Sequence, residues 1–77
     1  MNINLLAFGQ IAEMIDQAEF EISEIENTVE LSKILLELYP ALGEISYSIA
    51  VNKSVVHGNT HLKHGDTVAL LPPFSGG

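Results

Sequence analysis

Only one stretch of this 77-residue chain has the length and periodicity for a helix of several turns. Asn27 or Thr28 can cap it, Leu31, Ile34, Leu35 and Leu38 recur as one apolar stripe, and Glu30, Lys33 and Glu37 face water. Pro40 has no N–H to continue the ladder and ends the helix. One such helix can cover one face of one sheet, so the remaining apolar residues have to supply strands.

They do so in short runs. From Ile3 to Phe8, alternation puts Ile3, Leu5 and Ala7 on one face and Asn4, Leu6 and Phe8 on the other. Gly9-Gln10 breaks the run, and Ile11, Met14 and Ile15 then recur at helical spacing over one or two turns, with Glu13 and Asp16 outside. Glu19 to Ser23 alternates again, Phe20 and Ile22 inward and Glu19 and Glu21 outward, so the first two strands can pair antiparallel. Beyond Gly43, the residues Ile45, Tyr47, Ile49 and Val51 alternate with Ser46, Ser48, Ala50 and Asn52 as a third strand. Val55-Val56 is a short fourth, and His64-Gly65-Asp66 turns the chain into a last strand, Thr67 to Leu71, with Val68 and Leu70 inward and Leu71 outward. The order β, short helix, β, helix, β, β, β predicts an α+β roll: a mixed sheet of about five strands, one main helix and a short extra one.

No second domain fits this length, and without cysteine there is no disulfide framework, thiolate metal site or cysteine nucleophile. Any sulfur chemistry must use imported sulfur. Ten acidic residues against three lysines and no arginine give a formal charge of −7, which repels phosphate backbones and anionic membranes and favours a partner with a basic face. Met1-Asn2-Ile3-Asn4 carries no basic region, and no apolar run approaches the roughly 20 residues of a membrane span, so a cytoplasmic location is expected.

The composition changes once, at residue 72. Residues 1–71 read as the folded domain and 72–77, Pro-Pro-Phe-Ser-Gly-Gly, as a separable tail that leaves the domain stiff and ends flexible. Pro72 and Pro73 stop strand pairing and project the last four residues as a semi-rigid arm. Gly76 and Gly77 lack Cβ atoms, so another protein's active site can close around the backbone and reach the carboxylate of Gly77. The competing reading is an inert frayed end.

The element order, the ending Pro-Pro-Phe-Ser-Gly-Gly, the opening strand closing in Phe8-Gly9-Gln10 with Glu13 three further on, and Ala50-Val51-Asn52 resemble the MoaD-type small subunit of molybdopterin synthase. The resemblance runs along almost the whole chain and implies a β-grasp, ubiquitin-like fold and a sulfur carrier in molybdenum cofactor biosynthesis. It implies that an E1-like adenylating enzyme uses ATP to convert the carboxylate of Gly77 to an acyl adenylate, and that a sulfur donor protein then leaves Gly77 as a thiocarboxylate. It further implies that Pro72, Pro73, Phe74, Ser75 and Gly76 thread into the synthase large subunit, in a heterotetramer, where the sulfur passes to a cyclic pyranopterin monophosphate. The small subunit is not catalytic alone and holds no permanent cofactor or metal.

Ordering six tail residues costs on the order of 6 to 12 kcal/mol, whereas burying Phe74 returns only about 1.5 to 3. A docking face on the folded body must therefore contribute. If the first and last strands are neighbours, Leu6, Phe8 and Leu71 form one apolar patch at the tail's root; the alternative is a minor second core under the loop at Gly9. His57, His61 and His64 lie among turn residues with no helix to fix a metal geometry, and Ser75 has no base positioned for it. Nothing in the body looks catalytic. Without arginine, any ion pair to a partner must use Lys33, Lys53 or Lys63 when the cation is on this side. Rival readings are a sulfur carrier for thiamine thiazole or another pathway, a ubiquitin-like modifier of protein lysines, and a plain interaction domain.

Overall fold

The computed structural model describes residues 2–73. Its elements in chain order are β1 (Asn2–Ala7), α1 (Gly9–Ile15), β2 (Glu19–Ser23), α2 (Thr28–Leu38), a 3-10 helix (Pro40–Glu44), β3 (Ser48–Val51), β4 (Ser54–Val56) and β5 (Thr67–Leu71). The five strands form one mixed sheet in the order β2-β1-β5-β3-β4. Only the central pair, β1 with β5, is parallel; β1·β2, β5·β3 and β3·β4 are antiparallel. With α2 packed across one face, this is the expected β-grasp roll. No helix among the described residues is long and apolar enough to cross a membrane.

The inner face is assembled as the alternation predicts. Ile3, Leu5 and Ala7 of β1 and Val68 and Leu70 of β5 are buried against Leu31 and Leu35 of α2 and Ile11 and Ile15 of α1, with Phe20, Ile22, Ile49 and Val51 partly buried at the margins. Two positions without a periodic neighbour, Ile25 and Leu62, are completely buried as well. They are brought in by a clamp around the start of α2. The Leu62 N–H donates to the Glu26 carbonyl at 2.8 Å, the Thr28 N–H to the Thr60 carbonyl at 2.9 Å, and the Thr60 N–H to Thr28 Oγ1 at 2.9 Å. Asn27, not Thr28, is the cap: its Oδ1 accepts from the Glu30 N–H at 2.9 Å, and the Glu30 carboxylate reaches back to the Glu26 N–H at 3.0 Å. Asn59 Oδ1 takes the Val29 N–H at 3.1 Å. The first-turn N–H groups of Thr28, Val29 and Glu30, which no carbonyl within the helix can reach, are all satisfied.

Two expectations are corrected. The third strand starts at Ser48 rather than Ile45, because Ser48 already lies opposite Leu71 and any extension toward Ile45 would have to pair with Pro72 and Pro73, which have no N–H to give. Ile45 and Tyr47 still pack on the core, and Ile45 is held by the preceding 3-10 helix through its N–H to the Leu42 carbonyl at 3.4 Å. Leu38, placed by periodicity on the helix stripe, is 58% exposed, since Leu42 of the 3-10 helix fills the core at that end of α2.

Candidate functional site

Among the described residues no helix lies over the outer face of the sheet. Residues paired across neighbouring strands share a face, so Leu6 of β1, Ala69 of β5, Ala50 of β3 and Val55 of β4 form an apolar row running across the sheet. Small side chains at Ala50 and Ala69 leave the row concave. The resulting cleft has a volume of about 510 Å³ and is lined by Leu6, Phe8, Ala50, Asn52, Lys53, Val55, Thr67, Ala69 and Leu71. Leu6 and Leu71 are half-buried, Phe8 is 46% exposed and Val55 49% exposed. Among the described residues nothing covers this apolar cleft, and clefts of this kind take apolar side chains.

The parallel register brings the three sequence-predicted patch residues together. Leu6 lies opposite Ala69 and Ala7 opposite Leu70, and the Phe8 N–H donates to the Leu70 carbonyl at 3.3 Å, so β1 and β5 end side by side and pointing the same way. Leu71 thus emerges next to Phe8, and the chain leaves the sheet from the rim of the cleft. Pro72 is half-buried and Pro73 exposed. Phe74, Ser75, Gly76 and Gly77, the remaining tail positions singled out from the sequence, lie outside the described residues.

Electrostatically the cleft sits between unlike ends. Glu19 and Glu21 of β2 pair with Leu6 and Asn4 and so share the outer face on one side, while Lys53 lines the cleft on the other. Lys53 is presented by a tight turn in which Asn52 and Lys53 both have positive φ, 49° and 76°. That turn is braced from below: Asn52 Nδ2 donates to Asp66 Oδ1 and the Thr67 N–H to Asn52 Oδ1, each at 2.9 Å, and the Lys63 N–H donates to Asp66 Oδ2 at 2.8 Å. The backbone N–H of Lys63, and then the Asn52 amide, stabilise the carboxylate of Asp66 and hold its pKa below the usual range.

Sequence reasoning found Leu6, Phe8 and Leu71 but not the floor, Ala50 and Ala69, or the far wall, Val55 and Lys53. The available signal was that Ala50 and Ala69 are the small members of otherwise bulky alternating strands; it becomes readable only once β3 and β5 are known to be neighbours. The three histidines are dispersed: His57 faces a groove beside α2, His61 forms a bridge with Asn27, and His64 Nδ1 accepts from the Asn2 N–H at 3.0 Å. Among the described residues no group of three or more His, Asp or Glu could hold a metal ion.

Comparison with known proteins places this architecture among a coherent set. A model described as the ThiS family matches residues 5–77. The molybdopterin synthase sulfur carrier subunit of Mycobacterium tuberculosis is 30% identical over 82 residues, covering 100% of this chain and 99% of that protein. The subunit of the same name from Chlamydomonas reinhardtii is 31% identical over 83 residues, covering 100% of both. Among solved structures, a complex of subunits 1 and 2 of the molybdopterin-converting factor of Helicobacter pylori contains a chain 36% identical to this one, with a TM-score of 0.73 and full coverage of both. Small archaeal modifier protein 1 of Methanosarcina acetivorans is 25% identical with a TM-score of 0.82, covering 99% of this chain and 96% of that one. Subunit 1 of the Pyrococcus furiosus molybdopterin converting factor superposes with a TM-score of 0.86 over 96% of this chain and 99% of its own; at 22% identity it speaks for the fold alone.

Proposed function

The chain belongs to the ThiS family, and from that premise we propose that it is the sulfur carrier subunit of a molybdopterin synthase, active at the carboxylate of Gly77. The observation that carries the proposal is the apolar cleft at the root of the tail, where Leu6, Phe8 and Leu71 border the strand from which the terminal segment departs. Such a cleft gives a partner something to hold on the folded body while the terminus is in its active site, which tail contacts alone cannot do. The name of the Helicobacter protein, a complex of subunits 1 and 2, supports a large synthase subunit as that partner.

The chemistry is set by the terminus. A carboxylate is a poor electrophile because attack must overcome its charge and resonance. An activating enzyme therefore joins a Gly77 oxygen to the α-phosphorus of ATP and releases pyrophosphate. Sulfur from a donor protein, at the oxidation level of sulfide, attacks the acyl carbon and expels AMP, leaving Gly77 as a thiocarboxylate. In the synthase the thiocarboxylate sulfur bonds to the pterin precursor, and water then cleaves the acyl carbon–sulfur bond, leaving the sulfur on the precursor and returning Gly77 as a carboxylate for another cycle. Among the described residues the polar groups lining the cleft are Asn52, Lys53 and Thr67; on this reading catalysis rests with the partners. Activation and transfer by soluble partners belong in the cytoplasm.

The test is the intact mass of the protein purified from its own cells. A gain equal to the difference between sulfur and oxygen, localised to the C-terminal peptide, is expected, and removal of Gly77 abolishes it without changing the melting temperature. Retained sulfur transfer by the truncated protein refutes the carrier mechanism. The likeness to small archaeal modifier protein 1 supports a second reading, conjugation of Gly77 to protein lysines. Covalent adducts that survive thiol would establish that one.

A further inference from the structure

Resting on the carrier reading, we infer that Gly9 is a positioning residue for the reactive arm: Pro72 sits on its bare Cα, and the absent side chain sets the direction in which the arm leaves the sheet. A Cβ at Gly9 would stand 3.1 Å from Pro72 Cγ and 3.8 Å from Pro72 Cβ. Gly58 and Gly65 also have positive φ, yet a Cβ on either meets nothing within 4 Å, so those two serve their turns only. Gly9 combines a φ of +56° with a close neighbour, and that neighbour is the first residue of the tail.

The backbone makes the juxtaposition. Because the Phe8 N–H is bonded to the Leu70 carbonyl, the residues just beyond the paired ends of β1 and β5, Gly9 and Pro72, come to the same level of the sheet. Pro72 is half-buried there while Pro73 is exposed, so the Pro72 ring is the place where the body can steer the arm. Two consecutive prolines transmit that direction, since both φ angles are fixed. A Cβ at Gly9 forces the Pro72 ring to give by a few tenths of an ångström, which turns the direction in which Pro73 leaves the sheet. Misplacement by about 1 Å at a reacting centre can cost about a hundredfold in rate, of which a partner's channel recovers a part.

The experiment measures pyrophosphate release by the activating enzyme for wild type, Gly9→Asn, Pro72→Ala and the double variant. Asn tolerates positive φ, so Gly9→Asn keeps the backbone while adding the Cβ. Gly9→Asn is expected to lose about tenfold in kcat with little change in KM and a melting temperature near that of wild type. Once Pro72→Ala has removed the Cγ, adding Gly9→Asn costs less than about twofold, because nothing remains at the short distance. Equal activity of Gly9→Asn and wild type, or the same loss in both Pro72 backgrounds, overturns the inference. The contact is also read without activity, as a nuclear Overhauser effect between the Gly9 Hα and Pro72 Hγ protons in the free protein; its absence in wild type likewise overturns it. Wild type that shows this contact but releases no pyrophosphate refutes the carrier reading, and with it the positioning role.

Discussion

Phe8 tests whether the outer cleft is a docking surface or a second core. With 46% of its surface exposed, about half of the ring already rests on the sheet and about half awaits a partner. Full burial of a Phe side chain stabilises by about 1.5–3 kcal/mol, so each half is worth about 1. Phe8→Ala is then expected to lower monomer stability by about 1 kcal/mol. It should weaken binding to the large synthase subunit by about 1–2 kcal/mol, the upper value including the void left in the partner, or about five- to thirtyfold in Kd. Phe8→Asp binds at least about tenfold more weakly than Phe8→Ala, because the interface would strip water from an unpaired carboxylate that stays hydrated in the free protein. Leu38→Ala is the control: Leu38 is 58% exposed at the end of α2, on the other side of the sheet, and its loss should leave Kd unchanged. Titration calorimetry gives Kd and chemical denaturation gives stability. A monomer loss above about 3 kcal/mol for Phe8→Ala would show the residue to be core, and equal weakening by Phe8→Ala and Leu38→Ala would show that the cleft is not the docking site.

Asn27→Ala removes the acceptor for the Glu30 N–H and should cost about 1 kcal/mol in denaturant unfolding, with Asn27→Asp close to wild type; no loss in the alanine variant would mean that the loop from Gly58 to Leu62 caps α2 alone. Asp66 has a folded-state pKa below its unfolded value, so its contribution to stability is complete above the usual carboxylate range and disappears as pH falls through the lowered folded value. The stability gap between wild type and Asp66→Asn should therefore be widest near neutral pH and shrink as both are acidified below about pH 4, and a gap constant across that range would contradict the assignment.

What the sequence disclosed was whatever repeats locally. The inward and outward sets of β1 and β2, the bounds of β5, the short α1 and the stop at Pro40 are each fixed within one segment by alternation, helical spacing or a missing N–H. What it concealed depends on a distant partner. Ile25 and Leu62 stand alone among polar neighbours and are buried only because the Glu26–Leu62 and Thr28–Thr60 hydrogen bonds draw two loops together. The start of β3 is set by two prolines more than 20 residues away on its neighbour. The candidate site divides in the same way. Its rim could be named once β1 and β5 were taken as neighbours, but its alanine floor could not, since an alanine in a strand is informative only beside the residue that it fails to meet.

The arrangement of charge around the cleft bears on which protein can cover it. A fold with one long helix leaves the second face of its sheet bare, and an apolar face of this kind would ordinarily invite a second copy of the same chain. Here Glu19 and Glu21 stand on that face beside the apolar row, and the chain carries a formal charge of −7 with three lysines in total. A symmetric pair would confront each acidic edge with a second strongly acidic molecule, and among the described residues Lys53, at the opposite side of the cleft, is the one cation lining it. A different chain meets no such opposition if it presents an apolar anchor to Ala50 and Ala69 with basic groups over β2. On the carrier reading, these charges favour a basic partner over a second copy of the chain. They lie on the face from which β5 leads into the tail, so on that reading a partner docked there also stands at the root of the terminal segment.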